Sequence, residues 1–210
     1  MRREIFANEE YYHIYNRGVE KRNIFCDEND FQRFLQSLEE FNLLDPTGGI
    51  YANAFQKNKT LLRGSTSKSE KLVDVVAYCL NPNHFHLILK QATDRGVEKL
   101  MHRLGTGYTM YFNTKYQRSG SLFQGRFKAK HIDTNEYLLH TSVYVNLNYR
   151  VHQLRGSTSK SSWEEYLAGE SRMVKARCIL DQFSSIKEYQ DFSERTVEGI
   201  LERRVMTDEF

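Results

Sequence analysis

No run of apolar residues in this 210-residue chain approaches the ~20 needed to cross a bilayer as a helix. The opening residues, MRREIFANEEYYH, carry no apolar signal core, so the expected location is cytoplasmic. Cysteine is scarce: Cys26, Cys79 and Cys178 are odd in number, far apart and without a CxxC. That speaks against a disulfide framework and against a thiolate zinc site, and the three read as small buried hydrophobes. There are only two prolines, one in Asp45-Pro46-Thr47-Gly48-Gly49 and one in Asn81-Pro82-Asn83, and each marks a turn or stop. Net charge is a modest +3.

What is present suffices for a packed protein. Hydrophobic residues make up 40% of the chain and aromatics 13%, enough for a core in one domain plus an extension. The charge is unevenly spread. From Asp94 to Arg150 nine Lys or Arg stand against four acids, a local +5 that suits a phosphate-bearing partner.

The organising stretch is LVDVVAYCLNPNHFHLILK, Leu72 to Lys90, two β-branched runs around a short turn, which predicts a hairpin. Residues two apart on a strand share a face, so His84 and His86 project together while Phe85 and Leu87 enter the core. Before the hairpin, YYHIYNR (11–17) reads as a strand, and Asp27 and Asp30 as the cap and first turn of a helix with Phe31, Phe34, Leu35, Leu38 and Phe41 inward. The segment from there to about Glu70 is polar and irregular. After the hairpin, Thr93 and Asp94 cap a long helix to Tyr116 with Val97, Leu100, Met101, Leu104, Tyr108 and Phe112 on its inner face. SLFQGRFKAKH (121–131) alternates as a fourth strand, with Gln124, Arg126, Lys128 and Lys130 on a basic face. Asp133 and Glu136 suggest a capping box for a third helix over 134–148.

The order βαββαβ followed by a helix predicts an α+β class, ferredoxin-like antiparallel sheet with helices on one side, β1 and β3 adjacent at its centre. Residues 1–150 form the predicted catalytic domain and 151–210 a C-terminal helical extension. The octapeptide LRGSTSKS occurs at 62–69 and again at 154–161. That is too short and too widely spaced for a solenoid, and it suggests a DNA-level insertion accepted by two loops.

A lone His-x-His on a strand is more often a surface or core pair than a metal site. Tyr144 and Asn148, four apart on the third helix, supply what the pair lacks. If that helix crosses the sheet beside His84 and His86, Asn148 offers a carboxamide oxygen as third ligand and Tyr144 a phenol beside the ion. Such a hard, open donor set suits Mg²⁺ or Mn²⁺ shared with a phosphate. Forming a phenolate from a free tyrosine at pH 7 costs about 4 kcal/mol, and Tyr137, two turns earlier, is the rival nucleophile. Arg118, Arg126, Lys128 and Lys130 are candidates to follow a nucleic-acid backbone, and Tyr108, Tyr111 and Tyr116 to stack on bases, although their helical spacing equally makes them core. His13 is as readily structural as catalytic, and His102, His131, His140 and His152 read as ordinary polar residues.

HIYNRG (13–18), NPNHFHLIL (81–89), YTMYFNTKYQRSGSLFQGRFK (108–128) and YVNLN (144–148) together resemble the single-tyrosine HUH transposases, most nearly the REP-associated tyrosine transposases. The resemblance covers about residues 10 to 150, with a looser likeness in the tail at Trp163, Tyr166 and Phe183. It implies a metal-dependent enzyme that nicks and rejoins single-stranded DNA near hairpin-forming repeats through a 5′-phosphotyrosine link, as a monomer or a homodimer. His84 and His86 match the metal ligands, Tyr144 the nucleophile and Asn148 the extra ligand. The family often has His and Pro where this chain has Asn146 and Tyr149. Two other classes stay open on the residues: a metal-dependent phosphohydrolase with no covalent tyrosine, and a non-catalytic single-stranded nucleic-acid module.

Overall fold

The computed structural model describes residues 4–44, 70–154, 158–169, 171 and 173–208, with side chains as far as Arg203. Among the described residues five strands form one antiparallel sheet: β1 (Tyr11–Arg17), β2 (Val73–Asn81), β3 (His84–Gln91), β4 (Lys128–Ile132) and β5 (Lys160–Ser161). Their order is β4-β1-β3-β2-β5, so β1 and β3 are adjacent at the centre, as the ferredoxin-like reading requires. Tyr15 pairs with His86 and Arg17 with His84.

Helix α1 (Glu28–Glu40) starts where expected. Asp27 accepts from the Asp30 amide while the Asp30 carboxylate accepts from the Asp27 amide, a reciprocal cap that satisfies two otherwise orphan donors. Its Phe31, Phe34 and Leu38 are buried, and the Phe34 ring lies 5.1 Å from that of Phe85. Burying such a ring contributes about 1.5 to 3 kcal/mol. Helix α2 (Gly96–Lys115) packs on α1 and turns the predicted apolar face inward. Its N-cap is Arg95, at φ 57° and with no side-chain cap, in place of the expected Thr93 and Asp94, and position 96 is glycine because a Cβ there would meet the Leu72 carbonyl oxygen at 2.0 Å. Tyr111, Tyr116 and Lys115 all converge on the fully buried carboxylate of Asp30, tying α2 to α1.

The expectation of helices on one side holds for α1 and α2, which cover the Phe85 face. The opposite face, bearing His84 and His86, is covered by α3 (Asn135–Asn146) and the C-terminal segment. The predicted third helix is two: α3 ends at Leu147, whose φ of −109° and ψ of 21° break it, and α4 (Asn148–Val151) follows. Its cap is Thr134, which accepts from the Tyr137 amide, in place of the predicted Asp133 and Glu136 box. The fourth strand is also shorter than predicted. Before Lys128 the chain makes one bridge, Gly18 to Phe123, then turns at Gly125 with φ at +75°, so the alternation of Phe123 and Phe127 reflects a loop folded onto the core.

Residues 158–169 and 173–208 form α5 (Trp163–Ala168), α6 (Arg177–Leu180) and α7 (Ile186–Asp208), and α7 packs on α3 and α4. Tyr166 and Tyr189 are fully buried there, and the Tyr166 hydroxyl donates to the Val76 carbonyl. The first octapeptide copy and residues 155–157 of the second lie outside the described residues. The second copy does not end in a loop: Lys160 and Ser161 are β5, paired with Leu80 and Cys79. Of the cysteines only Cys79 is buried; Cys178 is partly exposed and Cys26 exposed, contrary to expectation. Among the described residues no helix is long and apolar enough to cross a membrane.

Candidate active site

Strict alternation along β3 puts His84 and His86 on the face under α3, while Phe85 and Leu87 go to the α1 face. The two rings lie 5.3 Å apart at 90°. Antiparallel pairing of β1 with β3 brings His13 to the same face, where its Nε2 is 2.8 Å from Nδ1 of His86 and the rings stack at 5.0 Å.

The hydrogen bonds around His84 fix its protons. Its Nδ1 donates to Asn83 Oδ1 at 2.6 Å, which leaves Nε2 as a bare acceptor. Asn81, fully buried at the end of β2, gives its amide hydrogens to His84 Nε2 at 2.9 Å and to Asn148 Oδ1 at 2.7 Å. Asn81 is itself oriented by Ser159, which donates to its Oδ1 at 2.8 Å. The Asn148 oxygen is thereby turned toward His84, 3.1 Å from Nε2, while its buried Nδ2 has no hydrogen-bond partner among the described residues.

These donors fit a hard divalent cation. Two ligands at right angles and about 2.1 Å from one ion stand about 3.0 Å apart, close to the His84–Asn148 separation. Among the described residues no three His, Cys, Asp or Glu side chains gather into a metal-binding group, and beside His84 and His86 the Asn148 amide oxygen, 3.1 Å from His84 Nε2, is placed to serve as a third ligand. The imidazoles are neutral near pH 7 and so keep their lone pairs. Burial lowers His84, opposed by the nearby Asn148 oxygen, which favours the protonated ring, and reinforced by Arg17. Burial, then its imidazole neighbours His13, His84 and His152, pushes His86 well below the usual histidine value. His13 is held down to about 4 by burial and then by Lys130.

Tyr144, half-buried on α3, lies edge-on to His86 at 5.5 Å and to His13 at 5.9 Å between ring centres. Among the described residues nothing hydrogen-bonds to its hydroxyl. The helix break at Leu147 falls between Tyr144 and Asn148, yet both reach the histidine pair. Tyr137 does not: its ring lies under the Lys130 ammonium, 4.6 Å away.

The basic residues divide. Lys128 and Lys130 pair with Tyr15 and His13, so they rise from the same face as the histidines and are exposed. Lys128 also lies 5.9 Å over the Tyr15 ring. Arg126 is exposed in the loop before β4. Arg118 is bound to Asn113 and lies over the Phe112 ring on α2. Tyr108, a candidate for base stacking, is fully buried with its hydroxyl donating to the Ile24 carbonyl at 2.6 Å, so it belongs to the core. Tyr111 and Tyr116 are engaged with Asp30.

Two more residues join this cluster, and one of them, His152, is thereby more than the ordinary polar residue that the sequence suggests. His152 follows Asn148 by four and its ring lies 5.0 Å from that of His84; the i, i+4 spacing was the available signal. Asn81 precedes the turn and gave no signal short of the fold. Asn146, where the family often has His, is buried and bridges Ser162 and Tyr189, so at this position the chain has a structural tie.

Residues 56–148 match the family model "Transposase IS200 like". No curated protein matches the chain. A solved REP-associated tyrosine transposase bound to a REP hairpin shares the fold with a TM-score of 0.54 at 11% identity, over 80% of this chain and 85% of that one. The tRNA(His) guanylyltransferase of Saccharomyces cerevisiae aligns over 96% of this chain and 80% of its own at 10% identity with a TM-score of 0.35. Over the stretch from 56 to 148, which holds the histidine hairpin, α2 and the helix of Tyr144, the chain is similar to the IS200-like transposases.

Proposed function

We propose that the chain is an endonuclease and strand transferase acting on single-stranded DNA at hairpin-forming repeats, with Tyr144 as its nucleophile. The observation that carries this reading is the packing of the Tyr144 ring against His86 and His13 within one chain. A hydroxyl held by no described residue beside neutral imidazoles is suited to attack, whereas Tyr108, donating to a backbone carbonyl in the core, is not.

In the reaction the phenol oxygen bonds to the scissile phosphorus as the bond to the 3′ oxygen breaks. The phenol loses its proton and the departing oxygen gains one, which leaves a free 3′-OH and a 5′-phosphotyrosine. Attack by a 3′-OH on that ester rejoins a strand without spending the phosphodiester bond on water. His84, His86 and Asn148 would hold Mg²⁺ or Mn²⁺, which when bound polarises the phosphodiester and stabilises its developing charge. Lys128, Lys130 and Arg126 would follow the DNA backbone. The hairpin partner is proposed because the solved likeness is bound to a REP hairpin. Since one chain supplies every site residue named here, a monomer would suffice, with a homodimer the other arrangement.

The test is incubation of the protein with single-stranded hairpin DNA and Mn²⁺, followed by a denaturing gel. A covalent protein–DNA adduct is expected, absent with Tyr144→Phe. Cleavage that survives Tyr144→Phe would point to a hydrolase, and binding with neither cleavage nor metal dependence to a non-catalytic module.

A further inference from the structure

The hydrogen bond between His13 and His86 has a direction that determines whether His86 can be a ligand at all. A neutral imidazole has one N–H and one lone pair. Nδ1 of His86 faces Nε2 of His13 at 2.8 Å, and His86 has no other hydrogen-bond partner among the described residues. If His13 donates, the His86 proton sits on Nε2, the remaining nitrogen, and blocks it as a ligand. If His86 donates, Nε2 is bare. Both rings are buried, His13 at 8% exposure and His86 at 6%, so solvent does not compete for this contact. The geometry is well defined: the rings are 23° from parallel, and Tyr15 stacks on the other side of His86 at 5.6 Å and 18°.

We infer that His13 is a positioning residue which, by accepting the Nδ1 hydrogen of His86, holds His86 in the tautomer that exposes Nε2 to a divalent cation. Asn83 does the same for His84 from the other strand end, accepting its Nδ1 hydrogen. Each histidine of the pair thus has its own acceptor, one an amide from the turn and the other an imidazole from the neighbouring strand. Outer partners of this kind fix ring orientation and raise ligand basicity. The role rests on the metal reading proposed above, but the tautomer can be observed without any metal.

The experiment uses the full-length protein with ¹⁵N-labelled histidine. Long-range ¹H–¹⁵N spectra identify which His86 nitrogen carries the proton, with His86→Gln supplying the assignment. The expected result is an Nδ1–H tautomer in the wild type, lost or mixed in His13→Phe, which keeps a ring but offers no acceptor. His13→Gln, whose amide oxygen reaches the same place, should restore it. In parallel, Mn²⁺ affinity is followed by electron paramagnetic resonance. It should fall about 10- to 100-fold in His13→Phe, the range for outer-shell partners, and recover in His13→Gln. An Nε2–H tautomer in the wild type, or a His13→Phe protein with unchanged tautomer and unchanged Mn²⁺ affinity, overturns the proposal. If instead the tautomer responds as stated but the wild type takes up no Mn²⁺ through His84 and His86, the metal reading fails while the role of His13 in setting the proton stands.

Discussion

Asn148 Oδ1 and His84 Nε2 lie 3.1 Å apart, two acceptors that share the hydrogens of one Asn81 amide. Acceptors held this close repel unless a donor or a cation joins them. Replacing Asn148 separates two explanations for the contact. Asn148→Leu should weaken Mn²⁺ binding by at least the about 10- to 100-fold that an outer-shell partner costs, whereas Asn148→Asp, which keeps an oxygen there, should bind at least as tightly as wild type. Titration of both variants with Mn²⁺ checks this, and equal affinity in all three proteins would remove Asn148 from the ligand set.

The two tyrosines prominent in the sequence should behave oppositely when only the hydroxyl is removed. Tyr108→Phe leaves the buried Ile24 carbonyl without its donor and should cost about 1 to 3 kcal/mol. Tyr144→Phe removes a hydroxyl that bonds to no described residue, so stability should change by no more than about 0.5 kcal/mol. Denaturant unfolding of the two variants beside wild type measures both.

Acid should destabilise the fold through His13. Its pKa is held down to about 4, by burial first, against an ordinary value of 6.5. Between those values the unfolded chain binds a proton that the folded one refuses. Stability therefore falls as pH drops from about 6.5 to about 4 and levels off below, the whole window being worth on the order of 3 kcal/mol for this group. Comparing chemical denaturation at pH 7 and pH 4.5 should show a loss in the wild type that His13→Gln reduces.

The hairpin was legible because period-two alternation and an Asn-Pro-Asn turn are local signals, and the order βαββαβ then placed β1 beside β3. The partnership of His13 with His86 was not, since it depends on the register that sets Tyr15 opposite His86 and His13 opposite Ile88. Alternation misled over 121–127, where Gly125 at positive φ turns the chain and Phe123 reaches the core from a loop. The break at Leu147 carried no proline or glycine to announce it. Asn81 and Ser159 lie 78 positions apart, and only the pairing of β5 with β2 brings them together.

Salt dependence should report which basic residues meet DNA. Lys128 and Lys130 rise from the histidine face, while Arg118 is held by Asn113. On single strands, each phosphate that a side chain ceases to neutralise lowers the slope of log affinity against log salt by about 0.7. Lys130→Ala should therefore flatten the slope for unpaired single-stranded DNA by about that amount and Arg118→Ala should leave it unchanged, as read by fluorescence anisotropy across a salt series.

Asn146 tests whether the C-terminal segment is part of the site's support. Its buried amide accepts from Ser162 at 2.5 Å and donates to Tyr189 at 3.2 Å, joining α3 to the residues around α5 and α7. Asn146→Ala removes one partner each from Ser162, which keeps its bonds to the Tyr78 backbone, and from Tyr189, which keeps Ser142, and should cost about 0.5 to 1.5 kcal/mol. Because α3 also carries Tyr144, the effect should appear as faster amide exchange in both α7 and α3, with the β3 amides little changed. Exchange confined to α7 would mean that the tyrosine helix is held by the sheet alone.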